Sequence, residues 1–344
     1  MLTLIATGCS HLSYYWQAGA GQLALNAARR PITEVLADSS TPAQLKHKLE
    51  VAQQIRTYAV SELGLPANKS YALYADVKRP YVTWNVVATP ELSMQLKQWC
   101  FPVAGCVSYK GYFDEDAAQA LAQALRSQGW EAHVSGVPAY STLGCFDDPL
   151  LNTFIHYSDG QLARLLFHEL AHQLLCVKDD STFNESFASA VEEFGVDRWM
   201  QKYSDAASRA QYAAFSGYKK DFYALLTATR QELEQAYQTG SDSEKRSRKA
   251  AIFATLRKNY ETLKRERWKG YSGYDRWFAQ PLTNAHLASV GTYTQWLPAF
   301  EVLLKREAYD VHKFYAAAQQ LAALGAAERN AALQILLSAV QIKS

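Results

Sequence analysis

Leu45, Leu49, Ile55 and Leu63 recur at helical spacing with polar residues between them. The pattern predicts a helix capped by Thr41, with Pro42 at its first position, closed by Gly64 and Pro66. An earlier helix is expected over 15–28. From Ser70 the texture changes. SYALYADV and YVTWNVVA are rich in aromatic and β-branched residues, and Lys78, Arg79 and Pro80 separate them. They predict the two strands of one hairpin. VSYKGYF (107–113) predicts another strand, DEDAAQALAQALRSQ a helix from Asp114 stopped by Gly129, EAHVSGV a strand, and AYSTLGCF (139–146) an extended segment. From about Ser158 the period is helical almost to the end, with long helices over 206–237 and 243–267 separated by QTGSDS. The fold class is therefore α+β. A small mixed β-sheet half packs on an active-site helix and a mainly helical half follows, with divisions at 1–8 (the remnant of a signal peptide), 9–200 and 201–344.

Composition narrows this little. The chain has 344 residues, 49% of them hydrophobic, enough for one large domain or two medium ones. Net charge is +2, and no nucleic-acid signature is present. The basic run 244–249, EKRSRK, is expected to be a solvated helix face. No run of 18 apolar residues occurs, so no membrane-spanning helix is expected. Gly8 and Cys9 follow an apolar run, the shape in which a lipoprotein signal ends. The run is short and no basic residues precede it, so a lipidated Cys9 and an accidental match both stay open on the residues alone. With Cys9 set aside, four cysteines remain. Cys100 and Cys106, with a Pro and a Gly between them, fit a local disulfide in an oxidising compartment. Two buried thiols are the rival reading. Cys145 and Cys176 are a possible second pair.

The chemistry lies in LLFHELAHQLL. His168 and His172 are four apart and share one helical face, so both imidazoles can reach one ion. Neutral imidazole suits zinc. Glu169 sits beside that position, placed to accept a proton from attacking water and return it to the leaving amine. Ser158 or Asp159, with Gln161 at capping-box spacing, starts the helix. The competing reading is two core histidines in a leucine-rich helix. By composition this motif arises by chance on the order of once in a hundred such chains. A turn around Lys178, Asp179 and Asp180 lets the next segment, FNESFASAVEEFG, fold back antiparallel. Glu185 can then complete a His, His, Glu set that leaves one position open. Glu192, two turns on, can orient a ligating imidazole or lie at the surface.

HELAH followed by NESFASAVE resembles the gluzincin metallopeptidases, where a glutamate in an Asn-Glu-x-x-Ala context is the third zinc ligand. More closely, GCS at Cys9, WCFPVAGCVSYKGYF, AYSTLGCFDDPLL, LLFHELAHQLL, FNESFASAVEEFG and NAHLASVGTY resemble the bacterial putative-aminopeptidase family of predicted lipoproteins, from Cys9 to about Phe300. The resemblance implies a zinc peptidase with one ion and a peptide substrate. It also implies an envelope, periplasm-facing location, with membrane contact only through a lipid on Cys9. Two departures matter. Ser189 stands where thermolysin-like enzymes place an aspartate, and the Gly-x-Met-Glu-Asn motif that holds a free amine is absent, so exopeptidase specificity does not carry over. An endopeptidase, a hydrolase of another amide, and an envelope protein with a vestigial zinc site remain alternatives.

An oxyanion donor is also needed. His286 and Tyr293, seven apart in NAHLASVGTY, are the candidates, Tyr293 before His286, against a packing role for both. AYSTLGCF can hold a peptide as an added strand through Tyr140, Ser141, Thr142, Leu143 and Gly144. Asp147 and Asp148 can grip a free amine, though a turn ahead of Pro149 is the favoured reading.

Overall fold

The apolar alternation in YVTWNVVA becomes β3, Thr83–Pro90, the centre of an antiparallel sheet between β6 (Lys110–Tyr112) and β7 (Trp130–Val137). A computed structural model describes residues 6–101, 105–139, 142, 147–288, 290 and 295–341, without the side chains of 6–12 and 339–341. Strand residues two apart share a face. Trp84, Val86, Ala88 and Ala132 form one face, buried against Ala118, Ala122 and Leu125 of α4 (Glu115–Ser127). The Asp114 carboxylate caps that helix by accepting from Ala117 N–H at 2.8 Å, and Gly129 leaves it at φ +85°. Val87 and His133, partners in register, point to the opposite face. There His133 stacks at 3.9 Å on His286 of α10, Asn284–Ala288.

SYALYADV and YVTWNVVA do not pair with each other. β2 (Leu73–Ala75) pairs antiparallel with β1 (Arg29–Pro31) and parallel with β8 (Leu150–Leu151), in a sheet separate from β3. The connection explains this. Lys78 turns at φ +55° with its N–H on Asp76 Oδ1, Arg79 donates to Phe113 O and Val82 O, and Asn152 Nδ2 donates to Arg79 O. The linker is fastened to distant segments instead of closing a local turn. The first helix runs from Ala6 to Ala27, longer than expected. The helix α3, Ala43–Ser61, starts one residue late because Pro42, at ψ 138°, is still extended.

Below the sheets lie α5 (Asp159–Leu174) and α6 (Ser181–Tyr203), whose inner faces form the main core with α3. The chain then forms α7 (Ala206–Ala236) and α8 (Asp242–Glu266). A second core lies between them, with Phe222, Leu226, Phe253, Leu256, Tyr260 and Trp268. The last helices, α11 (Leu297–Arg306), α12 (Val311–Ala322) and α13 (Ala326–Gln341), return to the first core. Phe300 and Phe314 meet Phe183 and Phe187 there. The cores therefore do not separate at residue 200: residues 296–333 share the core of residues 25–200. No helix among the described residues is long and apolar enough to cross a membrane.

The basic run is only partly solvated. Arg246 pairs with Glu91 at 2.9 Å, and Lys249 holds Glu131 and, at 2.8 Å, Glu91 O. Asn284, fully buried, completes this joint. Its amide donates to Glu91 O and Ser93 O, its Oδ1 accepts from Tyr237, and its N–H meets Glu131. The joint docks α7, α8 and α10 on the end of β3.

The stacked histidines make a pH prediction. Burial, then Arg126, lowers His133 to about 4; burial, then His133 itself, lowers His286 to about 3, both from 6.5. Folded values below the unfolded one mean the unfolded chain binds more protons. The stability is fully present above about 6.5 and falls as pH drops toward 4 and below. His133→Phe is expected to remove on the order of 1–2 kcal/mol of that loss. Urea midpoints at neutral and mildly acidic pH check this; equal pH slopes in both proteins would refute it.

Candidate active site

The α5 helix opens with Gln161 Oε1 accepting from Ser158 N–H and hydroxyl, and it buries Leu162, Leu166, Phe167 and Leu170. That burial fixes its rotation, so His168 and His172 face one way. The α5–α6 turn is fastened by Asn184, which accepts from Val177 N–H at 2.7 Å and donates to Val177 O at 2.8 Å. Asp180 caps α6 through Phe183 N–H and pairs with buried Arg329 of α13 at 2.7 Å. These bonds set Glu185 against the histidines.

His168 Nε2 lies 3.2 Å from Glu185 Oε2 and 3.1 Å from His172 Nε2, and His172 Nε2 lies 3.7 Å from Glu185 Oε1. One donor atom from each of the three falls within 4.8 Å of the others. A tetrahedral zinc ion with ligands about 2.0–2.1 Å away would hold its donors roughly 3.3–3.4 Å apart, so this nitrogen, nitrogen, oxygen set fits one. Glu169, also on α5, is 8% exposed. Burial holds its carboxyl above the usual range, opposed by the charges of His168 and His172.

Glu192 is not at the surface. Its Oε2 is 2.9 Å from His168 Nδ1, the far side of the ring from Glu185. Its Oε1 accepts from Arg164 Nε at 2.7 Å and from the Arg164 Nη2 group, and lies 3.8 Å from Lys219 Nζ on α7. The order 168 with 185 and 164 with 192 makes α5 and α6 antiparallel. Burial raises Glu192, but Arg164, Lys219 and His168 overcome it and hold it well below the usual carboxylate range. Burial lowers His168, while Glu192 and Glu185 overcome that and raise it to about 10. Burial raises Glu185, and its bonds to His168 and His172 bring it down to about 2. Lys219 is lowered to about 8 by burial, with Glu192 opposing.

Other candidates fall elsewhere. His286 stacks on His133, and its Nδ1 accepts from Thr283 N–H at 3.1 Å; neither partner belongs to the His, His, Glu set. The helix carrying it is described over Asn284–Ala288, and the stretch on to Tyr293 lies largely outside the described residues. Tyr293, Tyr140, Ser141, Leu143 and Gly144 lie outside the described residues. Thr142 donates its N–H and hydroxyl to Asp148, at 3.0 and 2.8 Å. Asp148 is buried and also accepts from Gln173 at 3.3 Å, which makes it a structural acceptor here. Cys100 and Cys106 are joined. Cys176 is a free, exposed thiol, so the second pair is not formed; Cys145 lies outside the described residues.

Three tyrosines near the carboxylates had no site role assigned from the sequence. Buried Tyr71, at φ +62°, is raised well above 10 by burial, then Glu169 and Asp148. Tyr223 of α7 is raised by burial, with Arg164 opposing and Glu192 and Glu185 adding. Tyr109 keeps 44% of its surface exposed, yet crowding around its phenol, then Glu185 and Glu169, raises it. Tyr109 falls in WCFPVAGCVSYKGYF and Tyr71 in SYALYADV, but nothing in either stretch ties its tyrosine to the metal-site helices.

The chain belongs to the family described as "Putative aminopeptidase", whose model matches residues 13–333. The family implies a hydrolase of peptide bonds. Searches of curated proteins and of solved structures give no match.

Proposed function

We propose that this chain is a zinc-dependent aminopeptidase of gluzincin type, with His168, His172 and Glu185 holding one ion and Glu169 as general base and acid. The observation that carries the reading is the convergence of three donor atoms from α5 and α6 near the buried carboxylate of Glu169. Zinc held there would supply Lewis-acid polarisation of the attacked carbonyl and the attacking water. Glu169 accepts the proton and passes it to the leaving amine; its raised affinity for protons suits both halves of that transfer. Glu192 Oε2, 2.9 Å from His168 Nδ1, is placed to orient that ring once the other nitrogen holds the ion. For the oxyanion, Tyr293 stays the candidate donor, and Tyr223 of α7, whose ring centroid lies 5.6 Å from the Lys219 Nζ that faces Glu192, is a second. The Cys100–Cys106 disulfide fits an oxidising envelope compartment, where Cys9 would be the lipid acceptor.

The test is a chelator titration with peptide turnover as readout. Turnover of free-amine peptides should vanish with chelator and return with zinc. N-terminally acetylated peptides should resist; their cleavage would make the enzyme an endopeptidase. Glu185→Ala is expected to lose its zinc, measured by metal analysis of dialysed protein. Full retention would move the third ligand elsewhere. Zinc without turnover of any peptide would leave only a structural ion.

A further inference from the structure

The disulfide hairpin lies against the site's own turn. β4 (Trp99–Phe101) and β5 (Gly105–Val107) pair in register at Cys100 and Cys106, where the disulfide joins them. Cys106 N–H donates to Asp179 Oδ1 at 2.9 Å, and Asp179 belongs to the turn between α5 and α6. Gly105, at φ +74°, packs so closely there that a Cβ would fall 2.1 Å from Asp179 Oδ1 and 3.3 Å from Lys178 Cε. On its other side the hairpin is braced by Tyr14, stacked on Phe101 at 5.6 Å, with Lys110 Nζ 4.1 Å from the Tyr14 ring. Tyr109 lies on the segment by which the chain leaves this hairpin. It is two residues past β5 and one before β6, and it shares its surroundings with Glu185, Glu169 and Cys176.

We propose that the hairpin is a rigid arm, latched by Asp179 to the helices that carry the His, His, Glu set, which holds Tyr109 at the entrance where its ring and hydroxyl contact the peptide substrate. The substrate part rests on the proposed function. The disulfide between residues six apart stiffens the hairpin internally, and the Asp179 bond ties its position to the metal helices rather than to the sheet alone. A partly exposed tyrosine so placed offers a flat apolar face and one donor, the two features a peptide backbone and side chain can use together. A phenol keeps its proton at neutral pH, so the hydroxyl is available as a donor.

Two readouts separate this from the parent reading. The first needs no turnover. Cys176, an exposed thiol beside Tyr109, reports the arm through its alkylation rate with iodoacetamide, located by peptide mass mapping. Tyr109→Ala and Asp179→Gly should each raise that rate several-fold. Glycine keeps the φ of +61° at 179 and removes only the acceptor. Gly105→Ala, which drives a methyl into Asp179, is the second route to an unlatched arm. The second readout is kinetic. Tyr109→Ala should raise KM about tenfold, the loss of one aromatic and hydrogen-bonded contact, with kcat changed less and zinc content unchanged. In an Asp179→Gly background, Tyr109→Ala should add little. Wild-type alkylation rates in all three variants overturn the arm. Cleavage of peptides with an unchanged KM in Tyr109→Ala overturns the substrate contact while leaving the peptidase intact. Faster alkylation in a protein that cleaves no peptide sustains the arm and removes the peptidase reading.

Discussion

Glu169→Gln is expected to keep its zinc and fold while losing about 10²–10⁴ in kcat, the usual worth of a positioned general base. The amide is close in shape to the acid, so the burial around residue 169 is preserved and both imidazoles stay in place. It cannot take a proton from water at neutral pH, and it cannot return one to the leaving amine. The loss should fall on kcat rather than KM, because the group acts on the reacting atoms and not on distant parts of the substrate. Metal content by mass spectrometry and single-turnover rates with a free-amine peptide check both halves. A variant that binds zinc and still cleaves near the wild-type rate would sink the mechanism.

The parts of this site that a reader of the sequence can find are those set by helical spacing. His168, Glu169 and His172 need only a 3.6-residue period, and Glu185 needs one turn and a wording that resembles a known family. The buried state of Glu192 is different. It depends on Arg164, a helical turn before His168, and on Lys219, which arrives from a separate helix. No local pattern joins those three. Strand texture was legible while partners were not: β2 finds β1 and β8, and β3 finds β6 and β7, because the Arg79 linker is held by Phe113 and Asn152. Seven-residue spacing could not show that the His286 ring is taken up by His133 and Thr283. The Cys100–Cys106 bridge was readable because its loop is short and contains turn residues. Tyr109 was not, since its place is set by the Asp179 latch seventy residues further along.

Arg164→Ala should be the most damaging substitution outside the ligand set. Arg164 is 9% exposed and Glu192 5% exposed, and the pair is charged on both sides in a site that excludes most water. Removing the guanidinium leaves Glu192 with Lys219 at 3.8 Å as its remaining strong cation besides His168. Breaking a buried pair from one side typically costs about 3–5 kcal/mol, because the surviving charge keeps its desolvation penalty. The damage should also reach the metal. An unpaired Glu192 can take up a proton or swing toward Lys219, and His168 then loses the contact that fixes its ring. Loss of such an outer partner typically lowers metal affinity about 10–100-fold. Arg164→Met with Glu192→Gln tests the cause. The double variant removes both charges, so it should recover much of the stability lost in Arg164→Ala, yet keep part of the metal defect because the amide holds His168 less strongly than a carboxylate does. Urea unfolding of the zinc-free proteins gives the stability term, and competition with a chromogenic chelator gives the affinity. Equal stability in Arg164→Ala and wild type would mean that water, and not Arg164, compensates Glu192.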